Sequence, residues 1–335
     1  MKKSYYLFNP GRMRRKDNTL QFIAVDENGV EQTAKYLPIE AIDNLYIFGS
    51  IDANSALYNL LGKENIAAHF FDYYEHYTGS FMPKEYLLAG RMQIEQTKAY
   101  LDGTKRLVIA KRIVEGATWN IIKNLKYYQG RDKELRHLIV AIEELYNQIP
   151  MAKDIFTLMG YEGNIHKYYY DAFETIIDDF AMESRIKRPP SNEINALISF
   201  GNSLCYTQCL DQVYHTQLNP TISFLHEPGY RRYSLCLDLA EIFKPILTDR
   251  TIFTVLNKKQ IKTDDFIIGS NGCVLKETGR KIFISAFEER LKETIQHRIL
   301  KKQVSYKYLI RLECYKLSKY ILGIEPEYKP FKAWW

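Results

Sequence analysis

The chain has 335 residues, 46% of them hydrophobic and 26% charged, with a formal net charge of +6. That balance belongs to a soluble globular protein and excludes a disordered tail, a coiled coil or a membrane bundle, while the length argues for two domains more readily than one. The positive balance favours a polyanionic partner over a basic one.

The first third reads as strands joined by turns: Ser4 to Phe8, Thr19 to Val25, a turn at Asp26 to Gly29, Thr33 to Leu37 and Asn44 to Phe48. A short helix from Asn54 to Leu61 interrupts them, two further strands follow at Ile66 to Phe71 and Tyr77 to Phe81, and Pro83 closes the segment. From Glu85 the period becomes helical. The fold class is therefore α+β, with a small β-rich domain over residues 1–84 and a larger, mainly α-helical domain over residues 85–335.

Within the helical part, Arg185 to Pro190 (RIKRPP) is a basic, proline-terminated break. Ser191 then offers an N-cap to a helix with Ile194, Leu197, Ile198, Leu204 and Cys205 on one face. Asp171, Glu174, Asp178, Asp179 and Glu183 mark the wet face of an acidic helix whose apolar positions make a metal site the weaker reading. Two basic stretches stand out. Lys98 to Arg131 holds eight cations against Asp102 and Glu115, and Gln296 to Tyr320 holds seven against Glu313, with tyrosines interleaved. Both suit phosphate tracking as well as they suit the solvated faces of surface helices.

Five cysteines are an odd number, and the start MKKSYYLFNP lacks the apolar run of a signal peptide, so a reducing, cytoplasmic location is expected. No apolar stretch approaches the roughly 20 residues that span a bilayer. Cys205, Cys209 and His215 have a spacing that zinc could use, but no second cysteine pair completes a closed site. Phosphate-binding loops of the GxGxxG and GxxxxGK[ST] kinds are absent, as is a GxSxG elbow, which removes P-loop and serine-hydrolase chemistry.

More informative is the segment from His226 to Pro245. Leu235, Leu239, Ile242 and Ile246 fall at helical spacing, so Asp238 and Glu241, three apart, leave the helix on one side and can converge on one ion. His226 precedes a Pro228-Gly229 turn that allows the chain to reverse toward those carboxylates. By spacing alone, solvated acids and a satisfied surface histidine remain the more ordinary description. Glu162 lies between Gly160 and Gly163 at the expected start of another helix, where it could serve only as a dipole partner, and His166 at i+4 is a rival ligand.

At these residues the sequence resembles the spacer-acquisition integrases of CRISPR systems, the Cas1 family. The resemblance covers essentially the whole chain. It is carried by Arg188-Pro-Pro190, Asn195-Ala-Leu197, Ser199-Phe-Gly201, His226 and Leu237-Asp-Leu-Ala-Glu241 in order, with lesser matches at Phe71-Asp72, Gly79, Pro83, Val114-Glu-Gly116 and Tyr328-Lys-Pro-Phe331. It implies a β-rich N-terminal domain for dimerisation and partner contact, a helical catalytic domain, a homodimer, double-stranded DNA as substrate and a small ferredoxin-like partner, Cas2. The divalent-metal ligands it implies are Glu162, His226 and Glu241, the last where many members have Asp. Asp238 becomes an auxiliary ligand or orienter, and His166, at a position where many relatives have a small residue, stays outside the set. The chemistry implied is joining of 3′-hydroxyl ends to a repeat array with Mg²⁺ or Mn²⁺. Two other functions fit the same residues: a catalytically idle DNA-binding scaffold, and a general nuclease for branched DNA.

Overall fold

The computed structural model describes residues 2–26, 28–72, 74–84, 87, 89–182, 184–186, 189–229, 233–269 and 272–334. The chain divides into two compact units, Met1–Tyr86 and Leu87–Trp335.

In the first unit the strands are β1 (Lys3–Leu7), β2 (Gly11–Lys16), β3 (Thr19–Ala24), β4 (Lys35–Pro38), β5 (Ile42–Ile47), β6 (Ile51–Ala53), β7 (Ala67–Phe71) and β8 (Tyr77–Phe81), with helix α1 (Ser55–Lys63) before β7. They form two four-stranded sheets, ordered β1-β5-β7-β8 and β4-β3-β2-β6. Strand β3 alternates as sequence patterning requires, burying Leu20, Phe22 and Ala24. Strand β2, GRMRRK, carries four cations and only one large buried side chain, Met13, which is why periodicity alone does not reveal it. Its strand state comes from pairing with β3 and β6. Helix α1 begins where Asn54 accepts the Leu57 amide at 3.2 Å, and it buries Leu57, Leu60 and Leu61 between the strands.

The second unit is helical: α2 (Gly90–Leu101), α3 (Gly103–Gln129), α4 (Arg136–Gln148), α5 (Ile155–Ile176), α6 (Glu193–Tyr214), α7 (Ser234–Lys244), a π turn (Pro245–Asp249), α8 (Arg250–Asn257), α9 (Glu277–Lys292) and α10 (Tyr306–Ile321). Two hairpins complete it, β9 (Phe266–Gly269) with β10 (Gly272–Leu275), and β11 (Thr294–Gln296) with β12 (Gln303–Ser305). Helix α7 packs against both α3 and α6, and most of its side chains are buried. The α+β reading of the sequence, β-rich first and helical after, is borne out.

Two local expectations change. The acidic helix does not run from Asp171 onward as one element. Helix α5 ends at Ile176, because two consecutive β-branched residues and the carboxylates Asp178 and Asp179 disfavour a helical C-terminus. Asp178 and Asp179 pair with Lys133 and Lys259 instead, and Glu183 lies outside the described residues. The cap of α6 is Asn192, whose Oδ1 accepts the Asn195 amide at 2.9 Å, and not Ser191. Of the basic break before it, Lys187 and Arg188 lie outside the described residues.

Two matched residues have clear packing roles. Asn195 is fully buried and ties down the preceding segment, accepting from Arg185 at 2.8 Å and from the Ile186 amide at 3.1 Å while donating to Ser184 O at 2.8 Å. Gly201 lets α6 approach the π turn: a Cβ there would stand 2.5 Å from Thr248 Cγ2 and 3.0 Å from Phe283 Cζ, both on buried side chains. Gly201→Ala should therefore destabilise the chain by roughly 1–3 kcal/mol through overpacking, read as a shift in the denaturant midpoint.

Candidate functional site

Helix α5 places Glu162 and His166 one turn apart on the same face, and α7 brings Glu241 against them. His166 Nε2 lies 3.2 Å from Glu162 Oε1 and 3.3 Å from Glu241 Oε2. The three side chains keep only 17%, 18% and 6% of their exposure, in the order Glu162, His166, Glu241. Lys244, one turn beyond Glu241, donates to Glu241 Oε1 at 2.5 Å.

Beside this group stands a second one. Asp238, fully buried on α7, accepts the backbone amides of Phe224 (2.6 Å), Leu225 (2.9 Å) and His226 (2.9 Å). Its Oδ1 also accepts the Nδ1–H of His226 at 2.8 Å. That bond fixes the tautomer of His226 and leaves Nε2 as the atom able to act as a ligand.

Glu162, His166, Tyr170, Arg185, Glu241 and Lys244 are among the walls of a cleft of about 460 Å³. Four buried polar atoms that lack a hydrogen-bond partner among the described residues belong to its lining: His166 Nδ1, Glu241 Oε2, Arg185 Nε and Asn202 Oδ1. Folded proteins satisfy such atoms almost everywhere, so their gathering in one cleft marks a place where something other than the chain completes the bonding.

The family model for CRISPR-associated protein Cas1 matches residues 5–289. The chain belongs to the CRISPR-associated Cas1 family. It is 48% identical to a CRISPR-associated endonuclease Cas1 of Thermodesulfovibrio yellowstonii over 99% of this chain and all of that protein. Its structure is similar to that of a Cas1 protein from Thermotoga maritima, with a TM-score of 0.84 and 36% identity over 99% of this chain and all of the other. A casposase bound to its integration product has the same fold, with a TM-score of 0.86 at 21% identity, covering all of this chain and 95% of that one. The family resemblance read from the sequence is borne out, and the relatives' name makes this a member of a nuclease family.

The Cas1 fold distributes the sequence-derived residues unequally. Glu162 and Glu241 meet as expected, but the histidine between them is His166, which the resemblance had set aside. The i, i+4 spacing from Glu162 already carried that signal. Glu162 lies in the interior of α5, whose cap is Asp154, so a helix-dipole role for it does not hold. Asp238 and Glu241 share a helix, yet Asp238 is committed to the His226 loop while Glu241 faces α5. Lys244 and Arg185, which the sequence reading did not single out, complete the charge of the cleft.

Charge in the cleft is strongly coupled. Burial opposes protonation of His166, but the attraction of Glu162 and Glu241 prevails and holds its pKa well above the usual imidazole range. Burial likewise opposes ionisation of Glu241, and Lys244, His166 and His226 together override it, holding the carboxyl well below its ordinary range. Two carboxylates and imidazole nitrogen, all within 4.8 Å of one another, are a donor set suited to a divalent cation. The His166 imidazolium and the Lys244 ammonium offset the negative charge of these carboxylates. The residues therefore fit the metal that the family implies.

Most cations of the two basic stretches serve the fold. Lys98, Arg112 and Lys126 pair with Glu95, Glu115 and Glu143, while Lys105 and Lys111 donate to backbone carbonyls. In the later stretch Lys316 bonds to the buried Glu313, Lys307 pairs with Asp211, and Arg311 donates to Gln212. Cys205 and Cys209 are buried free thiols, and His215 pairs with Asp211 at 3.7 Å. Among the described residues they form no metal group. No helix among those residues is long and apolar enough to cross a membrane.

Behind the cleft, Asp249 is hydrogen-bonded to Tyr169, and burial pushes its carboxyl up to about 7. Because the folded value lies above the ordinary 3.8, the folded state resists ionisation: the cost is absent below about pH 4 and complete above about pH 7. Asp249→Asn should thus be more stable than the parent at pH 8, by on the order of a few kcal/mol, with the difference shrinking toward pH 4. Denaturant titrations at the two pH values check this. Asp238→Asn, which turns an acceptor into a donor facing the loop amides, should cost about 1–3 kcal/mol or more in the same assay.

Proposed function

We propose that the cleft between α5 and α7 is the phosphodiester-processing centre of a CRISPR adaptation enzyme, which holds one divalent ion, Mg²⁺ or Mn²⁺, between Glu162 and Glu241. The observation that carries this reading is the concentration of unpartnered buried donors and acceptors around two carboxylates in a family of endonucleases. His226, fixed by Asp238, is the third ligand suggested by the resemblance, and His166, which lies between the carboxylates, competes with it for that role.

When bound, the ion acts as a Lewis acid on a phosphoryl oxygen and favours the deprotonated form of an attacking hydroxyl. The chain's own groups do the positioning. Arg185 and Lys244 bring positive charge to a phosphate in the cleft, and burial of Glu241 keeps that charge from being screened by water. In the joining reaction the 3′-oxygen of a fragment end forms a new P–O bond as the P–O3′ bond of the array strand breaks. One phosphodiester replaces another, and the departing 3′-oxygen takes up a proton. Hydrolysis differs only in that water is the nucleophile.

The partners follow the same reading. Solved structures with this fold are named as a Cas6-RT-Cas1–Cas2 complex and as a casposase on its integration product. We assign to this chain double-stranded DNA, a Cas2-type partner and a second copy of itself, and to the unit Met1–Tyr86 the contacts with other protein chains. A cytoplasmic location accords with these partners and with five free, buried cysteines.

Alanine at Glu162 or Glu241 should lower Mn²⁺-dependent nicking and joining of a branched DNA by about 100-fold or more. Comparing His226→Ala with His166→Ala then separates the two imidazoles: the ligand loses both activity and metal affinity, whereas the bystander retains both. Undiminished turnover in the Glu162 and Glu241 variants rules out the metal assignment. DNA binding without any turnover in the parent favours the scaffold.

A further inference from the structure

A second cleft, of about 740 Å³, opens between the C-terminal end of α3 and helices α8 and α9, and its lining shares no residue with the carboxylate cleft. Its size is that of a small-molecule site. Four cations line it, Arg131, Arg250, Lys258 and Arg290, against two acids, Glu289 and Glu293. Arg290 is already spent, since it donates to Glu293 and to Ile246 O and lies over the Tyr306 ring.

The remaining cations are arranged differently. Arg131 and Arg250 place their guanidinium carbons 4.5 Å and 4.4 Å from the centre of one ring, that of Tyr127. Two like charges are thereby held on one aromatic side chain, which lowers the entropy each loses when it engages an anion. Arg131 and Lys258 have no carboxylate partner among the described residues, in contrast with Arg106, Arg112 and Lys126 on α3. Beneath them, buried Phe253 and Tyr128 supply an apolar floor.

We propose that this cleft is a second anion site, in which Arg131, Arg250 and Lys258 take the phosphate of a nucleotide while its base rests on the apolar floor, outside the reacting centre. Forked guanidinium donors match phosphate oxygens, and a concave site with an apolar floor distinguishes a nucleotide from a bare ion. The nucleotide is either free or the end of a single strand, and both present the same chemistry.

Isothermal titration in the presence of EDTA tests the site without engaging the metal cleft. The probes are a deoxynucleoside triphosphate, a 5′-phosphorylated tetranucleotide and inorganic phosphate. The Arg131→Ala/Lys258→Ala protein should bind the nucleotide probe about tenfold or more weakly than the parent, with an unchanged melting temperature because both side chains are exposed. Glu289→Gln should bind it more tightly, an effect that misfolding does not imitate, and Glu162→Ala should bind it as the parent does. Binding of the triphosphate assigns a free nucleotide, and binding of the tetranucleotide alone assigns a strand end. No measurable binding of either, or equal affinity in the parent and the double variant, overturns the proposal. Neither result bears on the carboxylate cleft, which is judged by turnover.

Discussion

The geometry of the helical unit hangs on one buried carboxylate. Asp238 accepts three successive amides and one imidazole N–H, so a loop that would otherwise have several conformations is pinned to the middle of α7. The bonds are inward and shielded, where each is worth more than a surface contact. They fix His226 relative to Glu241 because both are referred to the same helix. A separation of three residues between Asp238 and Glu241 is just enough to turn one carboxylate toward the loop and the other toward α5. The acid that holds the loop and the acid that faces the cleft are thus set by a single turn of helix.

The second constraint is charge. Glu162 and Glu241 approach one another across a region with little water, an arrangement that repels unless a cation intervenes. His166 and Lys244 stand in that place. Their positive charges offset that repulsion and make two neighbouring buried carboxylates tolerable to the fold. The same balance accounts for a buried lysine one turn from Glu241, where an apolar residue would pack at less cost in desolvation.

How far the sequence foretold this varies with the physical origin of each element. Strands β3, β5, β7 and β8 and helix α1 were legible because apolar alternation and an asparagine cap act over a few residues. Strand β2 was not, because its residues acquire strand character only through neighbours on both sides. The end of α5 and the cap of α6 were misplaced by one local preference outweighing another, as at Asn192 over Ser191. In the cleft, Glu162 and Glu241 emerged only once family resemblance joined residues 79 positions apart. His166 is the reverse case: local spacing points to it, the resemblance sets it aside, and it lies between the two carboxylates. Arg185 was legible only as part of a basic break, because its place in the cleft depends on a tertiary bond to the buried amide of Asn195, ten residues on.

The buried acids of the second unit finally sort themselves by how completely they are bonded. Glu313 is fully buried and satisfied, accepting from Tyr328 at 2.6 Å, from the Phe331 amide at 3.1 Å and from Lys316 at 2.6 Å, so that the C-terminal segment is clamped to α10. Asp238 is equally satisfied. An acid that accepts a full set of donors is a structural fastening, and its removal loosens what it fastens. Glu241, buried to the same degree, keeps one oxygen without a completed hydrogen bond, 3.3 Å from an imidazole whose own second nitrogen has no partner. Burial cannot distinguish these carboxylates, and neither can their charge. The unfilled bonding capacity does: a fold under selection for stability alone has every reason to complete it, and the proposed reaction centre is where it is left open.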